Sequence, residues 1–349
     1  MNRDYDRRGL VALLGGLALG AAGSPARSTE AATTGIDKSL FVPIGGIDQW
    51  IWIKGEDVRN PVLLVVHGGP GEAQWPVAAH YEPWEKAFTV VLWDQRGAGH
   101  TFGRYGKQTP EMTLDRFAND GNEVADYLCR TLGKRKIIVL GHSWGTLVAV
   151  TMVQRRPELF AAYVGTGQAT SWKTLVNSQF DLLLAKARAE GDTAAIQQLE
   201  AIGRPDYTNT HQYFTFSRNL LAAMAPPDRD WIKGLRTGSA AQRAADPKNF
   251  QEFEDGFGFS AEKVLPDQIT SDLPATASKL DTAFFVIQGR DDIIASTPAA
   301  VDYFNRVKAP HKELVLIPDA GHFAYLTSPG PFLAALTDKV RPVAVAHGA

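Results

Sequence analysis

The segment Ile137–Val150 reads IIVLGHSWGTLVAV and decides the fold prediction, because a serine stands between two glycines at the end of an apolar run. The run IIVL is typical of a strand buried on both faces, and the apolar spacing after Gly145 is typical of a helix. Glycine is a poor helix former, but a Cβ at Gly141 or Gly145 would collide where strand and helix approach each other. The pattern indicates a tight turn that exposes the hydroxyl of Ser143 as a nucleophile.

Strands and helices alternate on both sides of this segment. Further buried strands are indicated by the apolar runs in PVLLVVHGG, FTVVLWDQRG, LFAAYVGTG, TAFFVIQGRDD and KELVLIP. An antiparallel hairpin is indicated by the two alternating runs of LFVPIGGIDQWIWIKG. This order predicts an α/β fold with a mostly parallel central sheet flanked by helices.

The alternation stops after about residue 170 and resumes at about residue 275. The intervening residues have helical and aromatic patterns, as in SWKTLVNSQFDLLLAKARAEG and HQYFTFSRNLLAAM, and contain no continuous Val/Ile run. We therefore predict that residues 36–170 and 275–349 form one α/β core. Residues 171–274 are predicted to form a helical lid inserted between two late strands.

Residues 1–26 are expected to be an export signal rather than part of the fold. Arg7 and Arg8 precede the apolar stretch GLVALLGGLALGAAG, which small residues follow. The paired arginines resemble a twin-arginine signal, and an ordinary signal peptide or a membrane anchor is the alternative. The stretch is short and glycine-rich, so we expect no stable membrane span after signal removal. The prediction is an exported protein, periplasmic or extracellular in a bacterium.

Composition argues against several classes of function. The 349 residues carry a formal net charge of -2 and no basic tract, so nucleic acid is not an expected partner. Cys129 is the one cysteine and no H-E-x-x-H motif occurs, so no metal site is expected. The glycine-rich HGGPGE lacks the lysine and the spacing of a phosphate-binding loop. We expect no cofactor, and the oligomeric state stays open.

A nucleophilic serine needs a base, and the base needs an acid that orients it. His322 lies in IPDAGHFAY directly after a late strand, whereas His311 precedes that strand and falls at the opposite edge of the sheet. The acid should follow the preceding strand, where GRDD offers Asp291 and Asp292. The G-x-x-D spacing favours Asp292, and the resulting chain order of Ser, Asp and His is the one expected of this fold.

The transition state carries an oxyanion, which two backbone N–H groups must stabilise. Trp144, the residue after the nucleophile, should supply one N–H group. The other should come from HGGPG after an early strand, with Gly69 as the first choice and Gly68 as the second. In WDQRGAGHT, we interpret Asp94 and Arg96 as a buried pair that shapes a loop beside the site.

Five motifs occur in order, namely HGGPG, WDQRGAGHT, GHSWG, GRDD and AGHF. With them, the chain from about Leu40 to its end resembles the α/β-hydrolase fold and, within it, the proline iminopeptidase group of serine peptidases. The resemblance implies a lid from about residue 171 to residue 274. It also implies a triad and an oxyanion hole made of Ser143, Asp292, His322, Gly69 and Trp144.

In this group the lid supplies acidic side chains that hold the free amine of the substrate, and aromatic side chains that hold the proline ring. The lid residues predicted to bind substrate here are Glu252, Glu254 and Trp172. The alternative is that these acids lie on a solvated helix face and that the aromatic side chains pack the lid on itself.

The predicted function is an exported serine hydrolase that acts through an acyl-enzyme on a small-molecule or short-peptide substrate. The resemblance favours a proline iminopeptidase-like aminopeptidase that releases an N-terminal residue. A carboxylesterase or lactonase that acts on a small ester is the alternative, and recognition of a free amine discriminates the two. A non-catalytic ligand-binding protein would be expected to lose a triad member. Acyl transfer to an acceptor other than water stays open, because no motif identifies the acceptor.

Overall fold

The computed structural model describes residues 34–206, 210–237 and 240–349. The predicted export signal at residues 1–26 lies outside the described residues. Residues 34–349 belong to one compact unit. Within the described ranges, no helix combines the length and the apolar character that a membrane crossing requires.

An eight-stranded sheet forms the centre of the described structure, in the order β1-β2-β4-β3-β5-β6-β7-β8. Strands β1 and β2 form a hairpin, and β2 pairs antiparallel with β4. All other neighbours are parallel, which confirms the predicted fold class. The strands are β1 (Ile36–Ile44), β2 (Ile47–Gly55), β3 (Val62–Val66), β4 (Thr89–Asp94), β5 (Ile137–His142), β6 (Phe160–Thr166), β7 (Ala283–Gly289) and β8 (Lys312–Ile317).

Helices in the core segments connect these strands. They are α1 (Gly99–Tyr105), α2 (Leu114–Leu132) and α3 (Trp144–Arg155) before β6. Between β6 and β7 the described helices are α4 (Trp172–Glu190), α5 (Thr193–Ile202), α6 (Thr210–Ala223), α7 (Pro226–Thr237), α8 (Ala240–Ala245), α9 (Pro247–Ile269) and α10 (Leu273–Thr276). After β7 follow α11 (Thr297–Arg306), α12 (Ala324–Thr327), α13 (Pro329–Ala335) and α14 (Arg341–Ala346).

The helical insertion begins and ends at one short neck. Ser171 and Asp272 form an isolated antiparallel bridge, and the Trp172 N–H donates to the Ser271 carbonyl oxygen at 3.1 Å. The two ends of the insertion therefore meet above the sheet. Its function as a lid stays a prediction.

Strand β5 explains why its sequence is apolar without alternation. Ile137 and Val139 pack in the hydrophobic cluster on one face of the sheet, while Ile138 and Leu140 pack in the cluster on the other face. All four side chains are fully buried. Because β5, β7 and β8 run parallel, the residues that follow them gather at one edge of the sheet.

Candidate active site

Ser143 occupies the turn between β5 and α3 in a backbone conformation that few residues other than glycine adopt, with φ at 53° and ψ at -119°. Its N–H donates to the Thr166 carbonyl oxygen at 3.0 Å. Its own carbonyl oxygen accepts from the Thr146 N–H at 2.9 Å and from the Thr146 hydroxyl at 2.6 Å. These bonds hold the strained turn in place, and the hydroxyl of Ser143 faces a cavity above the sheet.

Close packing of α3 against β3 explains the glycine after the serine. A Cβ added at Gly145 would lie 2.0 Å from the Val66 carbonyl oxygen and 2.7 Å from the His67 carbonyl oxygen. Both contacts involve backbone atoms, so neither neighbour can move aside at low energy. The backbone of β3 and of His67 is therefore what requires glycine at position 145.

We expect Gly145→Ala to lower the free energy of unfolding by about 3 kcal/mol, because the new methyl group overlaps the backbone of β3. Urea unfolding followed by tryptophan fluorescence measures this change. Gly258→Ala on α9 is the matched control, because a Cβ there meets nothing within 4 Å. Alanine at that helical position should stabilise the protein by about 0.5–1 kcal/mol. Equal unfolding midpoints for Gly145→Ala and wild type would contradict the packing argument.

Asp292 and His322 meet at the same edge of the sheet. Asp292 Oδ2 lies 2.9 Å from His322 Nδ1, and both residues are buried. The other carboxylate oxygen of Asp292 accepts from the N–H groups of Ile294 at 2.8 Å and Ala295 at 2.9 Å. These donors orient the carboxylate, which in turn holds the imidazole with Nδ1 protonated.

The charge environment of His322 favours a protonated ring. Burial alone would lower the pKa of His322, but the negative charge of Asp292 and its hydrogen bond outweigh that effect. Asp228 and Glu72 add two further negative charges, and the pKa of His322 is raised. An imidazole with a raised pKa accepts a proton readily, as a general base must.

The structure brings Ser143 and His322 to one site but does not join them. His322 lies beside His142, the residue before the serine, with ring centroids 4.8 Å apart and 3.2 Å between His142 Nε2 and the His322 carbonyl oxygen. Among the hydrogen bonds of the described residues, none links the Ser143 hydroxyl to His322 Nε2. General-base catalysis requires that bond to form during turnover, and free enzymes often show it lengthened. The catalytic roles of the three residues stay a prediction.

Two backbone N–H groups at the cavity are suitably placed for an oxyanion. Gly69 and Trp144 line the cavity together with Ser143. In the described part of the chain, neither of their N–H groups donates a hydrogen bond. Gly68, the second choice, instead packs behind the serine, where a Cβ would lie 3.1 Å from Ser143 Cβ. The geometry thus favours Gly69 over Gly68.

The predicted pair of Asp94 and Arg96 does not form, although both side chains are fully buried. Arg96 pairs with Asp120 on α2, with 2.5 Å between Nε and Oδ2, and donates to the carbonyl oxygens of Pro110 and Gly45. Asp94 accepts from the N–H and the ring of His100 at the start of α1. A buried guanidinium needs several acceptors, and the two-residue spacing between Asp94 and Arg96 could not reveal that α2 and two loop carbonyl oxygens supply them.

Gln95, between those two residues, supports the HGGPG loop and was missed by sequence reasoning. Its N–H donates to His67 Nε2 at 3.3 Å, and its amide nitrogen donates to the His67 carbonyl oxygen at 3.1 Å. Trp144 Nε1 donates to the same amide at 3.4 Å. One side chain therefore connects the two segments that carry the candidate oxyanion donors.

The cavity above Ser143 has a volume of about 260 Å³. Its walls are mostly apolar, including Trp144, Leu147, Leu175 and Ile294. Trp172, predicted to bind substrate, also lines it, at the start of α4. A small acyl group therefore fits this space better than a long chain does.

The two lid glutamates predicted to bind substrate lie elsewhere on α9. Glu252 pairs with Lys248 and packs against Gly103 of α1, while Glu254 pairs with Arg243 at 2.5 Å. Neither residue lines the cavity at Ser143. Their spacing on a helix did not show which face would turn toward α1 and which toward solvent.

A carboxylate that sequence reasoning missed is Glu72, which directly follows HGGPG. Its Oε2 lies 3.9 Å from His142 Nδ1, and 19% of the side chain is exposed. Among the hydrogen bonds of the described residues, its carboxylate takes part in none, and His142 Nδ1 is buried without a partner. Burial raises the pKa of Glu72 to about 7, although a positive charge on His322 opposes that shift. Its position directly after the glycine-rich motif was the signal available in the sequence.

The chemical groups of the site can be compared with those of a metal centre within the described ranges. No group of three or more His, Cys, Asp or Glu side chains there could hold a metal ion. The site around Ser143 combines one hydroxyl, the imidazoles of His142 and His322, the carboxylates of Asp292 and Glu72, and two unbonded N–H groups. That set suits nucleophilic attack on an acyl carbon.

Comparisons with known proteins identify the fold family and similar proteins. A family model described as the alpha/beta hydrolase fold matches residues 61–329. The probable aminopeptidase YbaC of Bacillus subtilis (strain 168) is 25% identical over 301 residues, which cover 85% of this chain and 94% of that protein.

Solved structures extend the likeness at the level of the fold. A proline iminopeptidase-related protein from Thermus thermophilus matches with a TM-score of 0.58 and 19% identity, covering 89% of this chain and 98% of that one. A thermophilic esterase from Thermogutta terrifontis matches with a TM-score of 0.56 and 16% identity, covering 88% and 99%. At these identities the structures show the fold alone.

Proposed function

Because the chain belongs to the α/β-hydrolase family and resembles its proline iminopeptidase group, we propose that it is a serine aminopeptidase. It releases an N-terminal residue from short peptides through an acyl-enzyme. The named relative of Bacillus subtilis supports the aminopeptidase assignment. The observation that carries it within the site is the position of Glu72, which is not itself part of the cavity wall but follows the wall residues Gly69 and Pro70 and lies 3.9 Å from His142. The described residues supply no hydrogen-bond donor to its carboxylate.

In the proposed acylation step, His322 Nε2 takes the proton from the Ser143 hydroxyl while the serine oxygen attacks the carbonyl carbon of the substrate. The carbonyl oxygen becomes an oxyanion that accepts from the N–H groups of Gly69 and Trp144. The C–N bond then breaks, and His322 delivers its proton to the leaving amine. Asp292 stabilises the imidazolium throughout without itself taking a proton.

Deacylation repeats the same proton movements with water. His322 removes a proton from water, the resulting hydroxide attacks the acyl-enzyme, and a second oxyanion forms in the same place. Its collapse breaks the bond to the serine oxygen, which regains a proton from His322. The products are a free amino acid and a peptide shortened by one residue.

The ammonium group of the substrate would bind at Glu72. Its carboxylate takes part in no hydrogen bond with the described residues and gains a charge-assisted partner when an N-terminal ammonium arrives. Because His142 is buried and lies near a second histidine, its pKa is held well below its usual value, so it stays neutral and does not compete for that charge. We therefore assign to Glu72 the role that the resemblance gave to Glu252 and Glu254.

The pH dependence of ammonium binding follows from the raised pKa of Glu72. The pKa of Glu72 is raised to about 7, so the carboxylate is charged above that pH and neutral below it. An α-amino group loses its charge above about pH 8. The preference for amine-bearing substrates should therefore be largest between about pH 7 and pH 8 and should fall as the solution is acidified.

We expect Glu72→Gln to lower kcat/KM for proline p-nitroanilide by about 10- to 100-fold, because the ammonium loses its charged partner. The matched substrate is cyclopentanecarboxylic acid p-nitroanilide, which has a five-membered ring with a CH2 group in place of the ring nitrogen. Its kcat/KM should change little. The ratio of the two values, measured from pH 5.5 to 8.5, cancels the titration of His322, which both reactions share. Wild type should show this ratio falling below about pH 7, and Glu72→Gln should show it low and flat.

Two matched variants separate Glu72 from the lid acids. Glu252→Gln and Glu254→Gln should leave the ratio of the two anilides as it is in wild type, because both side chains are paired with cations away from the cavity. A loss of amine preference in either variant, with Glu72→Gln unaffected, would return the amine site to the lid.

A carboxylesterase or lactonase is the second candidate function. The apolar walls of the cavity favour it, because a small neutral acyl group needs no charged partner there. Turnover of short p-nitrophenyl esters with no turnover of any aminoacyl anilide would select this function. The active-site serine would be the same in both cases.

Export is part of the proposal and rests on the pattern of Arg7, Arg8 and the apolar stretch that follows. A full-length chain with a C-terminal tag, produced in a bacterium, should be recovered outside the cytoplasm with its leader removed. Changing both arginines to lysine should block this if the signal is of the twin-arginine type. Recovery of the uncleaved chain in the cytoplasm alone would refute export.

A further inference from the structure

Asp228, on α7 of the helical insertion, makes an unexpected contact with the loop that carries His322. Its Oδ2 accepts from the His322 N–H at 2.5 Å, and its Oδ1 accepts from the Phe323 N–H at 3.2 Å. The Thr327 hydroxyl lies 3.5 Å from Oδ1. Asp228 is only 1% exposed, so these protein donors replace the water that a carboxylate would otherwise bind.

The loop is built to admit this carboxylate. A Cβ added at Gly321 would lie 2.1 Å from Asp228 Oδ2, so a larger residue could not let α7 approach so closely. Two successive N–H groups of the loop point to the two oxygens of one carboxylate. A pair of oriented N–H groups is a favourable site for a negative charge. The glycine and the aspartate thus act as one contact between the insertion and the core.

Three polar contacts fix His322 in the described part of the chain. Asp292 holds the ring at Nδ1, His142 lies 3.2 Å from the carbonyl oxygen, and Asp228 holds the N–H. The first two partners belong to the core segments, whereas Asp228 belongs to the insertion. Of these contacts, the one to the N–H is the one that connects the position of the ring to the position of α7.

Asp228 also adds negative charge close to the imidazole. Its carboxylate and that of Asp292 are near enough to influence each other, and both raise the pKa of His322. Burial raises the pKa of Asp228 itself, while His322 and the two N–H groups oppose that shift. A charged Asp228 therefore favours the imidazolium that forms when the base takes a proton.

We infer that Asp228 is a positioning residue for hydrolysis: it fixes the backbone of the His322 loop, so that the base is aligned only when α7 is docked. The inference rests on the proposed function, which makes His322 the base. It gives the insertion a part in catalysis besides any contact with substrate. If α7 moved away from the loop, the contact would be lost and His322 would no longer be aligned with Ser143.

Asp228→Asn tests this inference, because the nearly isosteric amide places one N–H donor opposite an N–H donor and removes the charge. We expect kcat to fall about 100-fold, as for a base displaced by about 1 Å, and KM to change by less than about twofold. The acid limb of kcat/KM should move to lower pH. Asp230→Asn is the matched control, because that side chain is 78% exposed on the same helix.

A second readout does not depend on turnover. In Ser143→Ala protein labelled with ¹⁵N-histidine, NMR titration should show a lower pKa for His322 when Asp228→Asn is added. Hydrogen exchange of the wild-type chain should show the amides of His322 and Phe323 strongly protected. Fast exchange of these amides would overturn the inference even if the Asp228 variant does not fold.

The inference is overturned if folded Asp228→Asn keeps the wild-type kcat, acid limb and His322 titration. It is also overturned if KM rises at constant kcat, which would make Asp228 a substrate contact, or if the two amides exchange as fast as those of an exposed loop. Failure of a fluorophosphonate to label wild type would instead refute the proposed function. The NMR and exchange results would still decide whether Asp228 holds the loop.

Discussion

Replacing Ser143 with alanine should lower kcat by roughly 10⁵- to 10⁶-fold on every substrate that the protein hydrolyses. The change removes the attacking oxygen at the positive end of α3. The nearby Thr146 hydroxyl does not replace it, because that hydroxyl donates to the Ser143 carbonyl oxygen. Alanine has no side-chain oxygen, so no acyl-enzyme can form at this position. The remaining rate would come from the oxyanion donors and from substrate binding alone.

Intact-mass measurement after treatment with a fluorophosphonate checks this expectation directly. Wild type should gain one phosphonyl group and lose activity in parallel, whereas Ser143→Ala should gain none. Ser278→Ala is the control, since that serine is exposed and its carbonyl oxygen accepts a hydrogen bond from the Lys308 N–H. Its hydroxyl makes no hydrogen bond within the part of the chain that the structure describes. Wild-type rates in folded Ser143→Ala would rule out a serine mechanism at this site.

The second large effect is expected for Asp292→Asn, which should lower kcat about 10⁴-fold, or about 5.5 kcal/mol of transition-state stabilisation. The amide oxygen would stay with the N–H groups of Ile294 and Ala295, since only an acceptor fits there. The amide nitrogen would then face His322 Nδ1 and donate to it. This arrangement puts the ring proton on Nε2, the wrong tautomer for removing a proton from Ser143.

Steady-state kinetics with melting curves measures this loss and shows that the fold survives. The matched variant is Asp291→Asn, the other aspartate that the GRDD motif offered. Asp291 is exposed, and its N–H donates to the Ala320 carbonyl oxygen, so its side chain should be replaceable within about twofold. A large loss of kcat in Asp291→Asn with little change in Asp292→Asn would show that Asp291, not Asp292, is the acid of the triad.

Local patterns were sufficient for the fold class, for physical reasons that β5 illustrates. A strand covered on both faces must be apolar at every position, and a serine turn pressed against β3 must have glycine at Gly145. Because the carboxyl ends of parallel strands share an edge, the order of strands along the chain was enough to bring Asp292 and His322 together as candidates. These features depend on backbone geometry, which short stretches of sequence encode.

Contacts between segments far apart in the chain could not be predicted in the same way. Arg96 pairs with Asp120, 24 residues away, rather than with its neighbour Asp94, because a buried guanidinium binds where several acceptors converge. Which face of α9 meets the core was decided by packing against α1, and this took Glu252 away from the cavity. Helical spacing gives the period of a face but not the direction in which it points.

The sequence by itself thus determined the layers of the protein and the residues that follow each strand, since strand and turn preferences act over a few positions. Only the tertiary structure decided which charges face the histidine. Glu72 follows the glycine-rich motif and Asp228 lies in an ordinary helical context, but both matter because folding withdraws their carboxylates from water near His322. Burial and approach are properties of the folded chain, so no local pattern records them.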